Sequence, residues 1–408
     1  MTEPAVRRGL RYRVLHAAAL PALSVALTGI TNLTMTVGVQ AFAGLDALGA
    51  FSLIYAPAMV GLAIQRLVLS QTLMRGAHVS RVSGLPLALV LMWVSFPALS
   101  AVMAVFVSGP AVFKLLPLVC CLSLFQDFLR YMFLGAKAPA PAFVSDLVWF
   151  VIGALGLAVA SVAPERALVF IIGAQIVGAA VSAATLFHAR SRIGAIRITK
   201  TAPVGHLLTE ATTISTLPQL SQYIIAGFVG IGVVGEFRSA QLMIVPVTML
   251  ATQTQAIIFP RLDPEDRGSV QRWGLLAGGA AGLFGLVLMI ARAINPFGVF
   301  DLLGFGDSAS FYWTLGALTL GAALSLYLMI YMVRIRIVLP QSYWLRWRIG
   351  AAVIEPIASV ASGIAFGAPG LALGSVASNT ATLTGLTVKE RITPVSGSPP
   401  LVGSSPSG

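Results

Sequence analysis

The chain has 408 residues, of which 57% are hydrophobic and only 10% are charged, and its formal net charge is +12. Soluble proteins have about 45–50% apolar and about 25% charged residues, so this composition excludes an ordinary cytosolic enzyme, a disordered chain and a secreted disulfide scaffold. Together with a mean hydropathy of +0.90, it predicts a multi-span helical membrane protein. The two cysteines, Cys120 and Cys121, are too few for a structural zinc site, and no cofactor is expected.

Apolar runs long enough to cross a hydrocarbon core, about 20 residues, recur along the whole chain. In chain order they predict twelve helices, at 17–42, 47–73, 84–108, 110–135, 141–164, 166–188, 207–230, 234–259, 273–295, 311–334, 346–366 and 369–388. Helices 1–6 form an N-lobe over 14–188 and helices 7–12 a C-lobe over 207–388, with a cytoplasmic linker at 189–206. A basic N-terminus at 1–13 precedes them, and the Pro/Gly/Ser-rich tail at 389–408 is predicted to be disordered.

The basic residues predict the orientation, because Lys and Arg are enriched in cytoplasmic loops. With the N-terminus inside, all but five of the 26 Lys and Arg residues lie at or near the cytoplasmic face. The outer loops carry acidic residues instead, namely Asp46, Glu165, Asp301 and Asp307. Both termini are therefore predicted to be cytoplasmic in a bacterial inner membrane. The positive charge is accounted for by topology, so nucleic acid is not expected as a partner.

One pattern occurs twice at a constant offset of 186 residues. Phe42, Gly44, Gly49, Phe51 and Arg75 recur as Phe228, Gly230, Gly235, Phe237 and Arg261. The first copy spans the outer turn between helices 1 and 2, and the second spans the turn between helices 7 and 8. Both copies have the same orientation, so the chain is predicted to hold two parallel six-helix repeats around a central cavity.

Uncharged polar residues concentrate on single faces of four repeat-related helices. They include Asn32 in helix 1, Gln65 in helix 2, Gln219 in helix 7, and Gln241 and Thr252 in helix 8. Polar groups in hydrocarbon are costly, so these faces are predicted to line a hydrated cavity walled by helices 1, 2, 7 and 8. Simple hydrogen bonding between helices is the alternative.

Charges inside the predicted spans are candidates for function. Arg66, about 10 Å from the cytoplasmic end of helix 2 at 1.5 Å per residue, has no obvious acidic partner in its own helix. It is predicted either to hold an anionic group such as a phosphate or to extend its side chain to the interface. Arg238 near the outer start of helix 8 has the same two interpretations.

The acidic residues in the spans have different predicted roles. Asp127 and Arg130 share one face of helix 4, and Asp146 in helix 5 is close enough in the topology to pair with Arg130. These three residues are predicted to form a structural ion pair, or a gate, between the two helices. Glu355, at mid-depth in helix 11, is a candidate coupling site for a proton or cation, or a neutral carboxylic acid in the interior.

Six segments carry a family resemblance: GLDALGAFSL at Gly44–Leu53, QTLMR at Gln71–Arg75, QDFLRY at Gln126–Tyr131, DLVW at Asp146–Trp149, GEFRSAQ at Gly235–Gln241 and FPR at Phe259–Arg261. They resemble polysaccharide-biosynthesis flippases of the O-antigen type, within the multidrug/oligosaccharidyl-lipid/polysaccharide (MOP) exporter superfamily. The resemblance implies an all-α, twelve-helix fold and translocation of a polyprenyl-pyrophosphate-linked saccharide from the inner to the outer leaflet. It also implies that basic cavity residues meet the pyrophosphate, for which Arg66 and Arg238 are the candidates.

Other functions remain open at the level of sequence. A cation-coupled small-molecule or drug antiporter of the same fold is the main alternative, although helix 1 lacks the acid that such exporters often use. A major-facilitator transporter is disfavoured because Met74–Ser83 contains no Asp, and a glycosyltransferase because Asp301 and Asp307 lack further acidic or His neighbours. We therefore expect a transporter, not an enzyme. Its expected partners are the lipid-linked saccharide, membrane lipids and a polysaccharide polymerase or glycosyltransferases.

Overall fold

A computed structural model describes residues 3–74, 85–136, 138–192, 204–258, 266–295, 298–339 and 341–392. Each regular element in these ranges is a helix. The α-helices are α1 (Glu3–Met74), α2 (Leu85–Phe106), α3 (Leu116–Gly135), α4 (Pro139–Val162), α5 (Ala167–Ala189), α6 (Val204–Phe228), α7 (Ile231–Ile258), α8 (Arg267–Ile294), the short α9 (Val299–Leu302), α10 (Ala309–Val338), α11 (Gln341–Phe366) and α12 (Ala368–Ile392).

The first two predicted helices are the two arms of α1, which meet at Gly44. This glycine has φ 80° and ψ −175°, a conformation that side-chain-bearing residues rarely adopt. Ser24, in the first arm, hydrogen bonds to Asp146, and Arg66, in the second arm, pairs with Asp127. Both partners belong to one cluster around Arg130. Because positions about twenty residues on either side of Gly44 reach the same cluster, the arms fold back as a helical hairpin.

Counting both arms, the described residues form twelve helices of membrane-spanning length, as the hydropathy predicts. Within the described residues, eight helices are long and apolar enough to cross a membrane, with α1 counted once. The chain is thus a multi-pass membrane protein by length and composition. Predicted helices 3–6 correspond to α2–α5, helices 7–9 to α6–α8 and helices 10–12 to α10–α12.

Some helices begin earlier than hydropathy predicts, because polar caps extend them. Helix α8 starts at Arg267 rather than 273, since the Asp266 side chain accepts a hydrogen bond from the Gly268 backbone N–H at 2.8 Å. Ser308 caps α10 in the same way through Phe311 N–H at 3.0 Å. The predicted N-terminal segment 1–13 is helical from Glu3. Arg75, Lys137, Arg261 and the tail 393–408 lie outside the described residues.

The two lobes pack mainly through α1, which contacts α6 and α7. Within the N-lobe α1 contacts α3 and α4, and α4 contacts α5, whereas in the C-lobe α10 contacts α8 and α12, and α11 contacts α6 and α12. Two hydrogen bonds join the lobes within the described part of the chain. Tyr223 Oη donates to Leu53 O at 2.7 Å, and Gln40 Nε2 donates to Leu303 O at 3.1 Å. Both lie toward the predicted outer face.

The repeated glycines form the closest contact between the lobes. A Cβ atom added at Gly49 would lie 2.3 Å from Ile231 O, and one added at Gly235 would lie 1.9 Å from Leu45 O. Leu45 and Ile231 are related by the same 186-residue offset as the glycines, so the two repeats contribute equivalent positions to the contact. Close approach of backbones through small residues is typical of helix packing in membranes. Here it closes the predicted outer face.

The close contact at Gly235 predicts that one added methyl group destabilises the protein. We expect Gly235→Ala to lower the free energy of unfolding by about 1–3 kcal/mol, the usual cost of overpacking, because the new Cβ would overlap the backbone of Leu45. Thermal unfolding of the purified protein in detergent measures it. Gly282→Ala in α8 is the matched control, since nothing lies within 4 Å of its added Cβ. Equal melting temperatures for the two variants would contradict the prediction.

Candidate functional site

A cavity of about 1090 Å³ lies between the two lobes. Its polar and charged lining residues come from both arms of α1 and from α7, α10, α11 and α12. They are Asn32, Thr36, Ser52, Tyr55, Arg66, Arg238, Gln241, Ser325, Arg348, Glu355, Ser375, Ser378, Asn379 and Thr382. Arg238 is seven residues from the outer start of α7, or about 10 Å at 1.5 Å per residue. Arg66 and Arg348, which also line it, lie near the predicted cytoplasmic ends of their helices. The cavity therefore extends toward the predicted cytoplasmic side.

The helices that form the cavity walls are not the predicted set of helices 1, 2, 7 and 8. Among the described lining residues none belongs to α6, which corresponds to helix 7, and α10, α11 and α12 contribute instead. The polar residues of α6 are used for contacts between helices. Tyr223 bonds to Leu53 O, and Gln219 accepts a hydrogen bond from Arg238. The alternative interpretation, hydrogen bonding between helices, therefore applies to these two residues.

Arg238 is a cation in the cavity wall that is held by amide oxygens. Its Nη1 donates to Gln241 Oε1 at 2.9 Å and its Nη2 to Gln219 Oε1 at 3.1 Å. Its Nε is buried without a hydrogen-bond partner, and within the described part of the chain it has no carboxylate partner. Both acceptors are neutral amides, so the guanidinium keeps its full positive charge. Arg348 also lines the cavity, and it has an interaction partner of its own.

Arg66 also lines the cavity, but it has an acidic partner on α3. Its Nε and Nη2 donate to Asp127 Oδ1 at 3.1 Å and 2.9 Å, and its side chain is 36% exposed. The sequence does not reveal Asp127 as the partner of Arg66, because the two residues lie on different helices. This geometry neutralises most of the charge of Arg66 and makes it a weaker anion site than Arg238.

A cluster of charged side chains lies behind Arg66. It contains the three residues for which the sequence predicts an ion pair or gate, Asp127, Arg130 and Asp146. Arg130, only 2% exposed, lies 3.1 Å from Asp127 and 3.0 Å from Asp146. Ser24 and Gln126 also hydrogen bond to Asp146. With Arg66 the cluster holds two cations and two carboxylates, so its charges balance. It connects α1, α3 and α4, which is the arrangement that a structural ion pair requires.

The remaining predicted residues fall in different places. Gln65 is fully buried away from the cavity, where it donates to Leu124 O at 3.0 Å and accepts from Trp93 Nε1 at 3.1 Å. Asn32 and Gln241 line the cavity. The side chain of Thr252 lies outside the described part of the structure.

Glu355 lines the cavity opposite the α1 side, and α12 supplies polar neighbours. Ser375 and Asn379 share its wall, and Asn379 Nδ2 donates to Gly321 O at 3.2 Å. Within the described residues Glu355 has no ion-pair or hydrogen-bond partner for its carboxylate. The α12 residues were missed, although Ser375, Ser378 and Thr382 have the three- and four-residue spacing of one helix face. Among the described residues no group of three or more His, Cys, Asp or Glu side chains could hold a metal ion.

Neither a protein-family model nor a curated protein matches the sequence. The structure does resemble solved structures over most of its length. One is a MATE protein crystallised with MaL6, at 15% identity and a TM-score of 0.58, covering 93% of this chain and 95% of that chain. Another is an inward-facing multidrug resistance MATE family transporter of the MOP superfamily, at 12% identity, a TM-score of 0.57, and 90% and 94% coverage.

A third similar structure is the lipid II flippase MurJ in an inward closed conformation. It has 14% identity and a TM-score of 0.54, and it covers 90% of this chain and 88% of that chain. At such identities the likeness establishes the fold. The chain therefore has the all-helical MATE/MOP transporter fold, as predicted.

The charge-balanced cluster predicts the effect of removing one carboxylate. Breaking a buried ion pair by removing one partner costs roughly 3–5 kcal/mol. We expect Asp127→Asn to be near the lower end, because Asp146 still faces Arg130. Thermal unfolding in detergent tests this, with Glu165→Gln on the exposed turn between α4 and α5 as the control. A melting temperature unchanged by Asp127→Asn would show that the cluster does not hold the N-lobe together.

Proposed function

We propose that this protein is a transporter that moves an anionic amphiphile, a polyprenyl-pyrophosphate-linked saccharide, from the inner to the outer leaflet by alternating access. The observation that carries the proposal is Arg238, an arginine in the cavity wall held by amides rather than carboxylates. A cation removed from bulk water is costly unless it is paired. An anionic group entering the cavity would supply that pairing, and a guanidinium suits phosphate oxygens particularly well.

The rest of the cavity wall fits an amphiphile. Beside the polar residues it contains apolar side chains on both lobes, among them Leu33, Met35, Met59, Leu242 and Met329. Methionine adapts to irregular apolar partners. A wall that holds Arg238 beside a large apolar share suits a molecule with a charged group and a hydrocarbon part. The fold is shared with a lipid II flippase, which supports a lipid-linked cargo.

The proposed setting follows from this cargo. A flippase for lipid-linked saccharides would work in the bacterial inner membrane, where the basic residues predict cytoplasmic termini. It would receive its cargo from glycosyltransferases on the cytoplasmic side and deliver it to a polysaccharide polymerase on the outer side.

Transport in proteoliposomes tests the proposal. We expect the wild-type protein to carry a fluorescent polyprenyl-pyrophosphate disaccharide between leaflets faster than protein-free liposomes do. Arg238→Ala should slow this movement about tenfold or more, since hydrogen bonds to charged groups contribute about 1.5–3 kcal/mol. Arg166→Ala, on an exposed turn, is the matched control. Movement at the protein-free rate, or an unchanged rate in Arg238→Ala, would overturn the proposal.

A cation-coupled antiporter for small molecules is the second candidate, and Glu355 is the observation that favours it. An unpartnered carboxylate in a cavity wall is suited to binding a proton or a cationic compound. One similar structure is a multidrug resistance MATE family transporter, which supports this candidate equally.

Glu355→Gln distinguishes the two functions. If the protein is an antiporter, this variant should lose efflux of a cationic dye driven by a proton or sodium gradient, because the amide cannot carry the exchanged charge. If it is a flippase, the variant should still move the fluorescent polyprenyl-pyrophosphate disaccharide at close to the wild-type rate. The two assays on the same proteoliposome preparation give the answer.

A further inference from the structure

Two of the arginines that line the cavity, Arg66 and Arg238, are held in different ways. Asp127 accepts two hydrogen bonds from Arg66 and cancels its charge. Arg238 donates instead to the amide oxygens of Gln241 and Gln219, at 2.9 Å and 3.1 Å. An amide oxygen orients a guanidinium as a carboxylate oxygen does, but it leaves the charge in place. The difference between the two sites is therefore one of charge.

We propose that Gln219 and Gln241 are positioning residues that make the site around Arg238 selective for anions, by fixing its guanidinium without neutralising it. This rests on the proposed function and assigns the residues that set the charge of its cargo. The two amides accept from only two of the five guanidinium N–H groups, so donors remain for a ligand.

Gln219 acts through Arg238 rather than by touching the cargo. It lies on α6, which contributes no residue to the described cavity wall, and its Oε1 accepts from Arg238 Nη2. One turn later on the same helix, Tyr223 donates to Leu53 O in the second arm of α1 at 2.7 Å. This bond fixes the part of α6 that carries Gln219. The Gln219 amide oxygen is thus held against Nη2 of the Arg238 guanidinium.

Gln241 completes the arrangement from the same helix as Arg238. The two residues are three apart on α7, so their side chains share a face. Because the two amides come from different helices, they restrain the two Nη atoms separately. Such a restraint reduces the rotamer freedom that a long side chain would lose on binding an anion.

Paired substitutions separate charge from shape. Gln219→Glu and Gln241→Glu keep nearly the same side-chain shape but place a carboxylate on Arg238, whereas Gln219→Met and Gln241→Met remove the acceptor and stay neutral. The probe is farnesyl pyrophosphate, titrated into purified protein in detergent by calorimetry. Farnesol, which has the same chain without charge, reports on the apolar wall.

We expect each Glu variant to lose farnesyl pyrophosphate affinity about tenfold or more, as the added charge cancels a charge-assisted contact. Each Met variant should lose only a few-fold, and farnesol binding should stay unchanged in all four. A merely structural role predicts the opposite order, since Glu is closer to Gln in shape than Met is.

Three outcomes would overturn the inference alone, and a fourth would overturn the proposed function on which it rests. Wild-type affinity in both Glu variants, or equal losses in the Glu and Met variants, would show that charge is not what the amides control. Unfolding of both Glu variants would also overturn it, because a carboxylate beside an uncompensated arginine should form a stable ion pair. If Arg238→Ala and the wild type bind farnesyl pyrophosphate equally, the anion site of the proposed function itself fails.

Discussion

The close approach of two backbones at Gly49 and Gly235 is the constraint on which the arrangement of the lobes depends. Each glycine lies where a side chain would overlap a carbonyl group of the opposite repeat. Only because both positions lack Cβ do the outer starts of α7 and of the second arm of α1 come together. The same approach places Tyr223 beside Leu53 and Gln40 beside Leu303. The cavity is consequently covered at the predicted outer face, and any motion that opens this face has to separate these contacts.

The charges inside the membrane divide into two groups with different consequences. In the N-lobe, Arg66 and Arg130 are matched by Asp127 and Asp146, so the cluster stabilises helix packing and attracts little from the cavity. In the C-lobe, Arg238 and Glu355 line the cavity without partners of opposite charge among the described residues. An anion and a cation would each find one site.

How much the sequence predicts depends on how local each feature is. The twelve helices and the hairpin at Gly44 follow from hydropathy and from residues a few positions apart. The repeat follows from comparing the sequence with itself at an offset of 186 residues. The partner of Arg66 does not, because Asp127 is 61 positions away and only tertiary packing brings them together. The caps at Asp266 and Ser308 are local signals that hydropathy overlooks. The contribution of α12 to the cavity was missed because its short hydroxyl side chains give a weaker periodic signal than the longer amides of α6 and α7.

The outer closure and the anion site are parts of one connected structure. Leu53 belongs to the helix arm that Gly49 brings against α7, and its carbonyl accepts the Tyr223 hydroxyl. Tyr223 lies one turn from Gln219, which in turn restrains Arg238. With the outer face closed, the bond from Tyr223 to Leu53 therefore fixes Gln219, which accepts from the Arg238 guanidinium. Opening the outer face would break that bond and release this part of α6. In the proposed cycle, the protein would orient Arg238 most firmly in the state that faces the predicted cytoplasmic side, where an anionic cargo must be bound. The same chain of contacts would relax when the outer face opens, where that cargo must be released.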